Sequence, residues 1–139
     1  MFIYRRTAQY HETDQMGIIH HANYIKWMEE ARVAFMDEMF GFGYVEMEAN
    51  GVFSPVIGVE VRYRRPVWFA DQVEIEVSVA SYSGTALVLS YRMRNVTKDT
   101  VCTTAKSTHC FLSDDKVVSL ASRLPELDEK IRALQKNAE

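Results

Sequence analysis

At 139 residues, 47% hydrophobic and 25% charged, the chain is long enough to close one core and too apolar for a disordered segment. Its 16 basic residues against 19 acidic ones leave a net charge of -3, which gives no global pull toward nucleic acid. No apolar run approaches the roughly 20 residues that span a bilayer, and "MFIYRRTAQY" lacks the pattern of a secretory leader. We therefore expect a cytoplasmic, single-domain protein over residues 1–139 with no membrane span.

Residues 2 to 10 alternate loosely and predict a first strand. From about Asn23 to Phe40 the period changes. Tyr24, Trp27, Met28, Ala31, Phe35 and Met39 recur at three- and four-residue steps, with Lys26, Glu29, Glu30, Arg32, Asp37 and Glu38 between them. That spacing predicts a long amphipathic helix, stopped by Gly41 and Gly43. "YVEMEANG" reads as a short helix or turn, and four β-rich segments follow: "VFSPVIGVEVRYRRP", "QVEIEVSVASY", "ALVLSYRMRNV" and "VCTTAKSTHCFL". Turns fall at "SG", "TKDT" and "DD", and Leu124 to Lys136 predicts a terminal helix with Leu127, Ile131 and Leu134 on one side. One long helix and about five antiparallel strands imply an α+β fold, a curved sheet wrapped around that central helix. Cys102 and Cys110, an even number of residues apart, are expected on one face of a strand as reduced thiols.

The connection before the helix, "YHETDQMGIIHHANY", holds more than a turn requires. Gly17 suits the turn; Asp14 and the pair His20–His21 ask for another reason. Thioester cleavage needs a nucleophile or activated water on one side of the carbonyl and a donor for its oxygen on the other. A loop carboxylate serves the first need, and the unpaired N–H groups at a helix start serve the second. Asp14 stands too far before the helix to cap it, whereas Asn23 suits an N-cap. Adjacent histidines on an extended segment diverge, and no ligand set at useful spacing completes a metal site. Glu30 and Arg32 read as a structural ion pair or interface contact on the polar side, and His109 as a hydrogen-bonded strand histidine.

The stretch "YHETDQMGIIHHANYIKWMEEAR" resembles the signature of the hot-dog-fold acyl-CoA thioesterases of the 4-hydroxybenzoyl-CoA thioesterase type, nearest to the short-chain branch associated with the Tol–Pal genes. "VRYRRPVWFADQVEI" and "SYSGTALVLSYRM" resemble its later strand pairs, so the likeness runs from Tyr4 to about Pro125. It implies hydrolysis of a short- or medium-chain acyl-CoA, with Asp14 as nucleophile or general base and the His21 amide polarising the carbonyl. The His21 side chain is either a general acid or substrate contact, or a loop-holding histidine. His20 is expected to be only its neighbour. Coenzyme A is part of the substrate, so no cofactor and no metal are implied. Gly17, Tyr24, Trp27 and Met28 are expected at the substrate, with Phe53, Val56 and Ile57 lining the pocket. Arg62, Arg64 and Arg65 suit the phosphates, the alternation putting Arg62 and Arg64 on one face.

"SYSGT" carries no basic residue where the aromatic-acyl branch has a basic triplet, which favours the short-chain branch. The resemblance also implies a homodimer or homotetramer, and a long strand such as Gln72–Tyr82 at an open edge would need a partner. The rivals are an acyl-carrier-protein thioesterase, a hot-dog hydratase or dehydratase, and a non-catalytic acyl-CoA or acyl-carrier-protein binding module. Asp14 discriminates against the last, since binding alone has no use for it.

Overall fold

The computed structural model describes residues 1–138. Strand β1 (Phe2–Thr7) is followed by a 3-10 turn (Tyr10–Glu12), a loop, and helix α1 (Asn23–Phe40). A short helix α2 (Tyr44–Ala49) leads to β2 (Val56–Tyr63), β3 (Gln72–Tyr82), β4 (Ala86–Asn95) and β5 (Thr100–Cys110). A small hairpin, β6 (Leu112–Ser113) and β7 (Lys116–Val117), then α3 (Leu120–Arg123) and α4 (Pro125–Ala138), follow.

The five main strands pair antiparallel in the order β1-β3-β4-β5-β2, the α+β arrangement that the two periodicities predict. Val73, Ile75 and Val77 of β3 and Leu87, Leu89, Tyr91 and Met93 of β4 point inward to meet Trp27, Met28, Ala31 and Phe35 of α1 in one core. Each large side chain there stabilises the fold by about 1.5–3 kcal/mol. Helix α1 stops where the glycines suggest: Gly41 takes the left-handed conformation (φ 61°), and its amide returns to the Asp37 carbonyl at 3.0 Å. Lys130 of α4 reaches the Phe40 carbonyl at 2.9 Å, and Leu127 and Ile131 are buried on the core side of α4. The outer sheet face carries charge, including Glu60, Arg62, Glu76, Arg92 and Lys106. Among the described residues, no helix is long and apolar enough to cross a membrane.

Several local expectations are corrected. Strand β1 ends at Thr7, because the Gln9 amide turns back to the Glu12 carboxylate at 2.8 Å and starts the 3-10 turn. Strand β3 is interior, paired with β1 and β4; the free edges are β1 and β2. Cys102 and Cys110 do not share a face. A register shift opposite Met93 and Arg94 makes Cys102 and Thr103 both buried, and from there Ala105, Ser107 and His109 point inward while Cys110 does not. Both thiols are free. Arg32 leaves the polar side of α1 altogether: it is buried beside Tyr44, its Nε without a hydrogen-bond partner among the described residues, while Glu30 pairs with Arg6 at 3.0 Å.

Candidate active site

The loop between β1 and α1 is fixed by its own backbone. The Asp14 amide donates to the Ile18 carbonyl at 2.8 Å and the Gly17 amide returns to the Asp14 carbonyl at 3.1 Å. Gly17 stands at φ 81°, so its part is to let this turn close. The Met16 amide donates to Asp14 Oδ1 at 2.8 Å, which orients the half-buried carboxylate. Among the described residues Asp14 Oδ2 has no partner. Ile18 bridges to Trp68, and the Ile19 amide donates to the Val67 carbonyl at 2.8 Å, so the loop is laid against the segment that follows β2.

The next turn, His20 to Ala22, precedes α1, and its hydrogen bonds can be followed one by one. The His20 amide donates to the Glu12 carbonyl (2.9 Å), and the His20 carbonyl accepts from the Asn23 amide (3.0 Å). The Ala22 amide donates to His20 Nδ1 (3.1 Å), and the His21 carbonyl accepts the Tyr63 hydroxyl (2.9 Å). Among the described residues the His21 amide donates to nothing. It is the one N–H of the turn left over, at the start of a helix whose dipole favours negative charge there.

Asp14 and His21 line one cleft of about 560 Å³, together with Met16, Ile18, Ile19, Tyr24, Tyr63, Arg64, Arg65 and Pro66. Burial, with Cys102 and Tyr63 nearby, pushes the Tyr24 hydroxyl well above the usual tyrosine range, so it stays protonated and can only be a neutral contact. The amides of Arg64 and Arg65 both donate to the Cys102 carbonyl, at 2.8 and 3.0 Å, which ends β2; both residues line the cleft, and Arg64 Nε donates to Thr104 Oγ1 at 3.3 Å. Neither forms an ion pair among the described residues.

The structure thus brings together Asp14, His21, Tyr24, Arg64 and Arg65, with Gly17 in the turn beneath them. The others stand elsewhere. Trp27 and Met28 are fully buried in the core, the Trp27 indole donating to Glu12 Oε2 at 2.7 Å, and neither lines the cleft. Arg62 lies on the outer sheet face beside Thr104, which Arg64 Nε also reaches at 3.3 Å, but it does not line the cleft. Phe53, Val56 and Ile57 are exposed at and before the start of β2, away from the cleft lining. Asn23 is the first residue of α1 rather than its cap, and its side chain donates to the Glu12 carbonyl at 2.9 Å. His20 is more than a neighbour: its ring serves as the acceptor that a capping side chain would supply, stacked on His21 at 4.2 Å.

His109 is fully buried with Nε2 2.7 Å from the Ser107 hydroxyl, and Ser107 is 2.6 Å from the Tyr91 hydroxyl. Among the described residues its Nδ1 has no partner, so only half of the expected hydrogen bonding is present. Burial, helped by the Arg32 charge, pushes this imidazole down to about 4.

Three residues of the site escaped the sequence reading: Glu12, His20 as an acceptor, and Tyr63. Glu12 was detectable, because Gln9 and Glu12 stand at the spacing of a reciprocal capping pair. Tyr63 was not, since its bond to His21 joins residues 42 apart. Among the described residues, no three His, Cys, Asp or Glu side chains gather closely enough to hold a metal ion.

A five-stranded antiparallel sheet packed on one 18-residue helix is the α+β arrangement of the hot-dog thioesterases. The chain belongs to the thioesterase-like superfamily, whose family model matches residues 8–134. It is 39% identical over 88 residues to the putative acyl-CoA thioesterase YneP of Bacillus subtilis, a match covering 63% of each chain, so that it spans just under two thirds of that relative. It is 32% identical over 126 residues to a putative esterase of Aquifex aeolicus, covering 91% of this chain and 96% of the other. Among solved structures, the DHNA-CoA thioesterase of Staphylococcus aureus superposes with a TM-score of 0.89 at 32% identity, over 99% of this chain and 94% of that one.

Proposed function

We propose that the protein is a cytoplasmic acyl-CoA thioesterase that cleaves a short- or medium-chain acyl-CoA to the free acid and coenzyme A. The observation that carries this reading is that His21, whose amide is unengaged among the described residues, lines the same cleft as Asp14. The amide receives the thioester oxygen as negative charge develops on it, a contact worth roughly 3–4 kcal/mol to the transition state. Asp14 works from its free oxygen. Either it attacks the carbonyl carbon, forming a mixed anhydride as the C–S bond breaks and thiolate leaves, or it takes a proton from the water that attacks. Both routes consume one water and release one acid and one thiol, with no cofactor or metal. Arg64 and Arg65 supply positive charge for the phosphates of coenzyme A. Exposed Val56, Ile57, Val59 and Tyr63 on the free edge strand β2 favour a homodimer or a homotetramer over a monomer.

Relatives carrying thioesterase names support the reaction class, and the Staphylococcus aureus enzyme, named for DHNA-CoA, puts an aromatic acyl group among the substrates to try. The test is thiol release from acyl-CoAs running from acetyl to palmitoyl, with benzoyl and 4-hydroxybenzoyl included, for the wild type and Asp14→Asn. Hydrolysis by the wild type that the variant loses supports the assignment. A wild type that binds acyl-CoA without releasing thiol would make this a binding module instead.

A further inference from the structure

We propose that Glu12 is a positioning residue for thioester cleavage, holding the turn that carries the His21 amide in register with Asp14. The inference rests on the reading above and extends it to a buried residue that does not line the cleft. Glu12 is 4% exposed, and its carboxylate ties three elements together. Oε1 accepts Arg6 Nη1 of β1 at 2.9 Å and the Gln9 amide at 2.8 Å, while Oε2 accepts the Trp27 indole of α1 at 2.7 Å. Arg6 is held in turn by Glu30 of α1 at 3.0 Å and lies 4.5 Å from the centre of the Trp27 ring.

The backbone of the same residue does the second half of the work. The Glu12 carbonyl accepts the His20 amide and Asn23 Nδ2, both at 2.9 Å. One side of residue 12 is therefore anchored to β1 and α1, and the other fixes the first bond of the turn that presents the His21 amide. Asp14 follows two residues later on the same chain, so both reacting groups take their position from Glu12. Burying a carboxylate is unfavourable unless every lone pair is used, and a packed apolar side chain would fill this space at less cost. What the carboxylate adds is placement. Misplacing a group by about 1 Å can cost 10²-fold in rate, and removing one oxyanion donor costs roughly 10²–10³-fold.

The experiment measures kcat and KM on the acyl-CoA that the wild type hydrolyses fastest, for Glu12→Gln, Asn23→Ala and the double variant. The 1H–15N resonance of the His21 amide is followed alongside. Glu12→Gln keeps the size and loses the charge that Arg6 needs. We expect kcat to fall about 10–100-fold with KM within about twofold. The Asn23→Ala fall should be smaller, the double variant less than the product of the two, and the His21 resonance displaced in each. A folded Glu12→Gln with unchanged kcat and an unmoved His21 resonance overturns the proposal, as does a change in KM alone. Should Glu12→Gln not fold, Asn23→Ala decides: unchanged kcat and an unmoved resonance refute it. A wild type inactive on every acyl-CoA defeats the thioesterase reading, while the resonance still reports whether Glu12 sets the turn.

Discussion

The two ends of α1 are built on opposite plans. At its C-terminus Gly41 folds the chain back so that its amide meets Asp37, and Lys130 arrives from another helix to occupy the Phe40 carbonyl. At its N-terminus no side chain of the usual capping position serves among the described residues; the turn is held from outside by Glu12, His20 and Tyr63, and the His21 amide is left unengaged. The closed end serves stability, where leftover carbonyls would only cost free energy. The open end keeps a donor ready because that donor has a use in the proposed reaction. A helix end thus reveals its purpose by which hydrogen bond is left unmade.

Substitutions at the open end should damage turnover and those at the closed end should damage stability. The largest effect is expected from Asp14→Asn. Asparagine retains the oxygen that accepts the Met16 amide, so the fold should stay and kcat should drop on the order of 10³-fold or more in a thiol-release assay.

Next comes the buried flank between the ends. The unfolded chain protonates His109 near 6.5, the folded protein only near 4, so between these values unfolding takes up a proton. Stability should be complete above pH 6.5 and fall by up to about 3 kcal/mol as pH drops to 4. Melting curves across this range should show that slope, and His109→Gln should flatten its share.

At the closed end, Gly41→Ala forces a side chain into the left-handed region and should cost about 1–2 kcal/mol by urea unfolding, with kcat unchanged. His21→Ala returns the comparison to the open end: it removes the imidazole and keeps the amide, so kcat should fall less than about tenfold. A loss as large as that of Asp14→Asn would move the role from backbone to side chain. Lys130→Met should be smallest, about 0.5 kcal/mol of stability and no change in turnover.

Much of this was written in local sequence. The three- and four-residue recurrence from Tyr24 to Met39 gave α1 its limits, and strict alternation gave β3, because both signals are short-range consequences of burial on one side. Asp14 stood out as a charge that a turn with Gly17 did not require, and the structure puts it in the cleft while its Oδ1 accepts the Met16 amide. What failed was whatever depended on a phase slip or a distant contact. One extra residue in β5 reversed the side on which Cys110 lies. Trp27 shares the apolar face with Tyr24, yet only the first turn of α1 reaches the cleft. Spacing along the chain says which face a residue is on, not how far along that face the solvent extends.

The path of Arg64 and Arg65 has a last consequence. Their main-chain path is set by two amides meeting a single carbonyl, that of Cys102, while the Arg64 side chain also donates from Nε to Thr104 Oγ1 at 3.3 Å. Non-proline residues at these two positions can be exchanged without losing the two main-chain bonds. Under the proposed function, the fold therefore carries two positions whose side chains can change beside a fixed main-chain path, and selection or design can retune which acidic headgroup is welcomed there.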